Sequence, residues 1–278
     1  MRRLVVILIC FTSTSVASAA FVTGFESSQG YVGSAAGIGL SGQQGWYTPD
    51  VAGSVDGYVY TYADNPYGVP QNPYGGAQFF GGRAMGDDAY ARSQHDYNWA
   101  AESIVRISYD FCAKFTGTLP AVDNVGSWSM QPSGSVGGPE IYMQSLYTWA
   151  DTAGGTAIHA GYLIDENPAA PPAFPGPEWQ NLPVDHWFRQ TVLVNMEYFK
   201  IIECTIQDLT IGGPVTVAHP ENWHFINYAV AGGTLPTGFR CFTGGTTAGN
   251  FLAWDNFSIP EPATIALLLI GFAALRRR

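Results

Sequence analysis

The sequence predicts an all-β protein, an antiparallel two-sheet β-sandwich. Three observations carry that reading. Segments alternate apolar and polar residues with a period of two, as half-buried strands do. Glycine and proline punctuate the chain at short intervals, with 33 Gly and 18 Pro in 278 residues. Between Phe21 and Ile259 no stretch holds an apolar 3.6-residue period beyond two turns. Many short strands without intervening helices favour a sandwich or jelly roll.

The strand candidates follow in chain order. In Ser103–Phe115, Val105, Ile107, Tyr109, Phe111, Ala113 and Phe115 share one face, while Arg106, Ser108, Asp110 and Lys114 share the other. Ile141–Tyr147 and Ala157–Ile164 come next. Phe188–Val194 sets Phe188, Val192 and Val194 against Arg189 and Thr191; a turn at Asn195–Glu197 then leads into Tyr198–Ile206, a hairpin. Phe251–Ile259 closes the set. The expected breakers are Gly126 and the pairs Gly137-Gly138, Gly154-Gly155, Gly212-Gly213, Gly232-Gly233 and Gly244-Gly245. Two loops are long. Asp64–Gly76 repeats Asn-Pro-Tyr-Gly at Asn65 and Asn72, and reads as a tyrosine-bearing surface loop. Asn167–Trp179 carries five prolines and cannot be a central strand.

Composition narrows the function. Charged residues make up 12% of the chain, about half the usual fraction, and 46% are apolar, so disorder is excluded. The formal charge of −10 offers no basic footprint for nucleic acid.

The two ends read as targeting segments around a β-sandwich domain at 21–259. Residues 1–20 have a signal peptide's parts: Arg2-Arg3, the apolar run Leu4–Phe11, and a small-residue cleavage site with Ala17, Ala19 and Ala20. Residues 260–278 run Pro260-Glu261-Pro262, then 13 apolar residues, then Arg276-Arg277-Arg278. That is a short helix for a membrane, marginal at about 17 residues or more, with a positive end that stays cytoplasmic. This order resembles the PEP-CTERM sorting signal of Gram-negative bacteria. The resemblance implies an exosortase substrate, held briefly in the inner membrane, processed near the tripeptide and delivered to the cell surface or extracellular matrix. Signal peptidase and exosortase are then its partners during export. Five of the 12 basic residues (Arg2, Arg3, Arg276, Arg277, Arg278) lie in the removed segments. All 22 acidic residues remain when processing follows the tripeptide, so seven basic residues leave the delivered chain at −15.

A second resemblance rests on Val22-Thr23-Gly24-Phe25-Glu26 with Gly42-Gln43-Gln44-Gly45-Trp46, on Trp187–Val192, and on Ala253–Ile259. These are similar to strands of concanavalin A-like (laminin-G-like) jelly rolls, in which the first and last strands lie side by side. That fold invites glycoside chemistry, which needs two carboxylates about 5–9 Å apart. No strand carries a same-face carboxylate pair, since Asp87-Asp88 and Asp165-Glu166 are adjacent and point opposite ways. There is no Gly-x-Ser-x-Gly elbow, and the histidines lack the spacing of a zinc pair. A non-catalytic surface protein that binds polysaccharide is the expectation, with a divergent glycoside-active enzyme as its rival. Aromatics in loops are the candidate sugar platforms: Trp46, Tyr47, Tyr67, Tyr74, Trp99 and Trp179. No cofactor is expected, although such domains often hold Ca²⁺ through loop carboxylates, and Asp50, Asp56, Asp64, Asp87 and Asp88 lie in loops. Of the mature cysteines, Cys112, Cys204 and Cys241, the pair Cys204–Cys241 is the disulfide candidate, with buried thiols the equal alternative.

Overall fold

The computed structural model describes residues 20–84, 89–99, 104–115, 122–131, 142–148, 152, 155–168, 172–227, 235–245 and 249–259. The signal helix and the short C-terminal membrane helix expected from sequence lie outside these residues. Among the described residues no helix is long and apolar enough to cross a membrane.

The strands are β1 (Phe21–Thr23), β2 (Ile38–Gly39), β3 (Trp46–Tyr47), β4 (Ser54–Val55), β5 (Tyr58–Thr61), β6 (Gln78–Arg83), β7 (Tyr90–Asp96), β8 (Ile104–Lys114), β9 (Asp123–Gln131), β10 (Tyr142–Thr148), β11 (Ala157–Leu163), β12 (Leu182–Pro183), β13 (Trp187–Asn195), β14 (Lys200–Asp208), β15 (Thr216–Ala218), β16 (Gly238–Thr243) and β17 (Phe251–Ile259). They form two sheets. Sheet I runs β15-β14-β13-β8-β17-β6-β5-β2, with β1 also on β17; sheet II runs β12-β11-β10-β9-β16-β7-β3, with β4 also on β7. Every strand pairing except β4–β7 is antiparallel. The first and last strands pair, with Phe21 opposite Ile259.

The alternation read in β8 survives intact. Val105, Ile107, Tyr109, Phe111 and Ala113 all enter the core between the sheets. Tyr109 stacks on Trp128 of sheet II and on Phe257 of its own sheet, both at 5.5 Å. Polar side chains tie the layers as well: the Tyr109 hydroxyl donates to Gln144 Oε1, and Gln190 Nε2 donates to the Tyr162 hydroxyl at 2.5 Å. Directional bonds of this kind hold one sheet in register over the other, which apolar packing alone does weakly.

Gly126 does not break a strand. It lies inside β9, where the register against β10 shifts between Leu146 and Tyr147. A Cβ there would meet Leu252 Cδ1 at 2.1 Å and the Phe242 carbonyl at 2.5 Å, so the bulge takes the one residue that fits. The hairpin at residues 195–200 forms as expected, with Asn195 Oδ1 accepting from Glu197 N at 2.9 Å.

The outer face of sheet I is not bare. Cys112, Trp187, Phe251 and Ala253 join Tyr60, Tyr62, Val69 and Phe79 in a second apolar cluster under the loop that follows β5. The repeated tetrapeptide of that loop is one β-turn made twice: Gly68 N donates to Asn65 O at 3.2 Å, and Gly75 N to Asn72 O at 3.0 Å. Asn at the first position, Pro at the second and Gly at the fourth suit a type I turn. Trp187 Nε1 donates to Pro70 O at 2.7 Å and holds the loop down.

Candidate functional site

The outer face of sheet II differs in kind. Along β7, Ala91, Ser93 and His95 face the core, so Tyr90, Arg92, Gln94 and Asp96 face outward. On β16, Phe242 stands opposite Arg92 and Arg240 opposite Gln94. On β9, Ser127 and Ser129 continue the same two rows.

One end of this face opens into a groove of about 590 Å³. Its lining includes Tyr90, Arg92, Asn124 and Phe242, with Asp123 and Tyr147 buried in its wall. The Arg92 guanidinium lies over Tyr90 (5.1 Å) and Phe242 (5.4 Å), while its Nη1 donates to Ser54 Oγ at 3.1 Å and Ala52 O at 3.3 Å. Tyr90 and Phe242 meet at 5.6 Å, tilted, and form an aromatic corner. Across the groove, Tyr147 stacks on Phe174 at 6.0 Å with His159 at 5.5 Å. The β9 bulge sets Asn124 directly opposite Tyr147, which puts an amide beside the second aromatic wall. Asp123 Oδ2 accepts from Asn250 Nδ2 at 3.3 Å.

The other end is a polar row. Arg240 Nε and Nη2 donate to Gln94 Oε1 at 3.1 and 2.8 Å, Gln94 Nε2 donates to the Tyr47 hydroxyl at 2.9 Å, and that hydroxyl donates to Asp96 Oδ1 at 2.7 Å. Burial, reinforced by Asp96, pushes the Tyr47 hydroxyl far above its ordinary range, so it stays a donor. Gln131 Nε2 donates to Ser129 Oγ at 2.7 Å, yet its buried Oε1 has no hydrogen-bond partner among the described residues. A buried acceptor left unmade costs about 1–3 kcal/mol.

The sequence-predicted platforms divide sharply. Trp46, Trp99 and Trp179 are buried, at 1%, 4% and 0% exposure, and are corrected to core residues. Each spends its indole N–H inside: Trp46 on the Tyr31 hydroxyl, Trp99 on Gly238 O, Trp179 on Gln190 Oε1. Tyr67 is half-buried with its ring stacked on Phe251 at 4.0 Å, so one face is already covered. Tyr47 is half-buried in the polar row. Tyr74 alone of the six is largely exposed, at 58%. None of the groove residues is among the candidate platforms that the sequence suggested. The signal for them was the polar alternation of Tyr90, Arg92, Gln94 and Asp96, in a strand short of apolar residues.

The disulfide Cys204–Cys241 is not formed. Cys204 is in β14 of sheet I, Cys241 is in β16 of sheet II, and Cys112, Cys204 and Cys241 are all free, buried thiols. Burial pushes the thiols of Cys112 and Cys241 well up, and that of Cys204 up to about 12. Among the described residues, no group of three or more His, Cys, Asp or Glu side chains could hold a metal ion. Asp56, one of the loop carboxylates, accepts from Ser41 N and Thr48 Oγ1, each at 3.1 Å. The residues expected for sorting, Pro260, Glu261, Pro262 and Arg276–Arg278, and for signal cleavage, Ala17 and Ala19, lie outside the described residues; Ala20 is the first within them.

No protein-family model and no curated protein matches the chain. Among solved structures, the chain is similar to a lectin from Bauhinia forficata in complex with GalNAc, at 8% identity and a TM-score of 0.46, over 88% of this chain and 98% of that one. It is similar to the lectin UEA-II complexed with galactose, at 8% identity and a TM-score of 0.45, over 88% and 99%. An endo-β-1,4-glucuronan lyase from Trichoderma reesei follows at 9% identity and a TM-score of 0.40, over 77% and 94%.

Proposed function

We propose that this chain is an exported, non-catalytic carbohydrate-binding protein of the bacterial surface or matrix, with its glycan in the groove of sheet II. The observation that carries the reading is the corner of Tyr90 and Phe242 around Arg92, with Asn124 and Tyr147 opposite. A pyranose has an apolar C–H face and a rim of hydroxyls. Aromatic walls with a few convergent polar groups match both. Arg92 and Asp123 balance each other, which favours a neutral glycan, as does the charge of the whole chain.

The rival, a glycoside-active enzyme, needs two carboxylates at the sugar. Among the described groove-lining residues Asp123 is the one carboxylate. Binding without turnover is the simpler chemistry for this site. Equilibrium binding to a panel of neutral polysaccharides tests it, with Arg92→Ala expected to lose most of the affinity. An Arg92→Ala chain that binds like the parent sinks the groove. Release of reducing sugar, abolished by Asp123→Asn, installs the enzyme instead.

Delivery to the surface rests on the order of Pro260-Glu261-Pro262, apolar run and Arg276–Arg278. Intact mass of the exported protein is expected to lack the residues after the tripeptide. A C-terminus ending at Arg278 overturns the exosortase route.

A further inference from the structure

We propose that a polar cleft on the outer face of sheet I is a second glycan site, so that one molecule bridges two polysaccharide strands; the bridging rests on the sheet II reading above. The cleft holds about 570 Å³ between β1 with its following turn and the loop after β5. Tyr74 stands at its mouth with its ring 5.3 Å from the Arg189 guanidinium. Ser108, Ser258 and Asn256 supply hydroxyls and an amide along its floor and edge.

The parts are held in place before any ligand arrives. Arg189 Nε and Nη2 donate to Asp110 Oδ1 and Oδ2 at 2.7 and 2.9 Å, which fixes the guanidinium plane and leaves Nη1 free of that brace. Asn256 Nδ2 donates to Tyr74 O at 3.2 Å, and Tyr74 N donates to Asn72 Oδ1 at 3.0 Å, so the backbone under the ring is pinned. On the far wall, the Glu26 carboxylate accepts from Ala77 N and Gln78 N at 3.1 Å, and Gln29 Oε1 accepts from Gly24 N at 2.9 Å. Preorganised polar groups cost less to order on binding.

The chemistry names the ligand class. Arg189 is neutralised by Asp110, and Glu26 is occupied by backbone N–H groups. What remains is an exposed aromatic ring among hydroxyl and amide groups, which suits a neutral sugar ring better than an anion. Ser108 and Arg189 alternate with the core-facing Tyr109 and Gln190 in sheet I, whereas Arg92 and Phe242 face out from sheet II. The two sites therefore point away from each other across two layers spaced about 10 Å apart. A single straight strand cannot occupy both.

Titration calorimetry of the processed chain with neutral oligosaccharides cut from dextran, xylan and galactomannan tests the assignment. The expected stoichiometry is two per chain, falling to one in Tyr74→Ala and to one in Arg92→Ala. Tyr74→Phe, which keeps the ring, is expected to retain two. The parent is expected to turn a solution of the intact polymer turbid, and each single alanine variant to leave it clear. A stoichiometry of one in the parent, unchanged by Tyr74→Ala, overturns the second site while sparing the groove. Binding lost in Tyr74→Ala and untouched in Arg92→Ala upholds the sheet I cleft as a site and overturns both the groove and the bridge. No binding to any of the three overturns both sites.

Discussion

Asp110 of β8 and Asp255 of β17 stand directly opposite one another on adjacent strands, and the amide of Asn72 donates to both, at 3.0 and 3.2 Å. Both carboxyls are completely buried. Tyr62 adds a hydroxyl to Asp255 at 2.9 Å, Arg189 braces Asp110, and Asn256 donates its side chain to Asp110 at 2.8 Å and its backbone N–H to Asp255 at 2.8 Å. One amide thus ties this carboxyl pair together. The loop that carries Asn72 and Tyr62 covers it, so it works as a clasp.

Burial first, and Asp110 after it, push Asp255 up to about 7. A carboxyl whose folded value lies above its unfolded one holds its proton more tightly in the native chain. Its contribution is therefore fully present at acid pH and is lost as pH climbs from about 4 through about 7. Urea denaturation between about pH 5 and pH 8 is expected to show stability falling with pH, and Asp255→Asn to flatten that slope. A parent curve that rises over the range contradicts the assignment.

Asn72→Ala removes the donor shared by two buried acids. The expected loss is about 2–4 kcal/mol in chemical denaturation, since a buried charge left uncompensated is costly. A loss under about 0.5 kcal/mol, ordinary for a surface change, rules out the clasp.

Tyr90→Ala opens one wall of the sheet II groove and takes a ring from the Arg92 sandwich. Glycan affinity is expected to drop about tenfold, near 1.4 kcal/mol, with Tyr90→Phe restoring most of it. Equal weakening by both substitutions points to the hydroxyl, not the ring face, as the contact.

Gly126→Ala places a methyl against Leu252 and the Phe242 carbonyl. One of those neighbours is backbone and cannot swing aside. The bulge is expected to shift at a cost of about 1–3 kcal/mol, and the groove beside it to lose affinity in the same variant. A folded variant with parental stability shows that the close approach is not maintained in solution.

The three thiols are free and buried. Alkylation of a chain lacking residues 1–20, and so Cys10, is expected to be negligible in native buffer and to reach three groups in urea without reductant. Only one group in urea reveals a bridge and overturns the free-thiol state of Cys112, Cys204 and Cys241.

The strands that reached the sequence reading were those with long apolar alternation: β8, β10, β11, β13, β14 and β17. β6, β7, β9 and β16 did not, because glycine, serine and arginine interrupt them and their outward faces are polar even where covered. Gly126 looked like punctuation for the same reason. A bulge and a strand break share a residue type and differ only in what lies across from them. The aromatic residues misled in the other direction. Loop position suggested exposure for Trp46, Trp99 and Trp179, but a large ring with one N–H to satisfy is often drawn into the core.

The sequence by itself determined the all-β class, the antiparallel hairpin of β13 and β14, and the anionic balance of the chain. These depend on periodicity, turn chemistry and counting, which are local properties or sums. Only the tertiary structure decided which residues meet: Arg92 with Tyr90 and Phe242, Arg189 with Tyr74, and Asp110 with Asp255 under Asn72. The bonds from Asn72 reach residues 38 and 183 positions away, and Arg92 meets Phe242 of a different strand. Strand order and register set them, and neither is written in the period of any one strand.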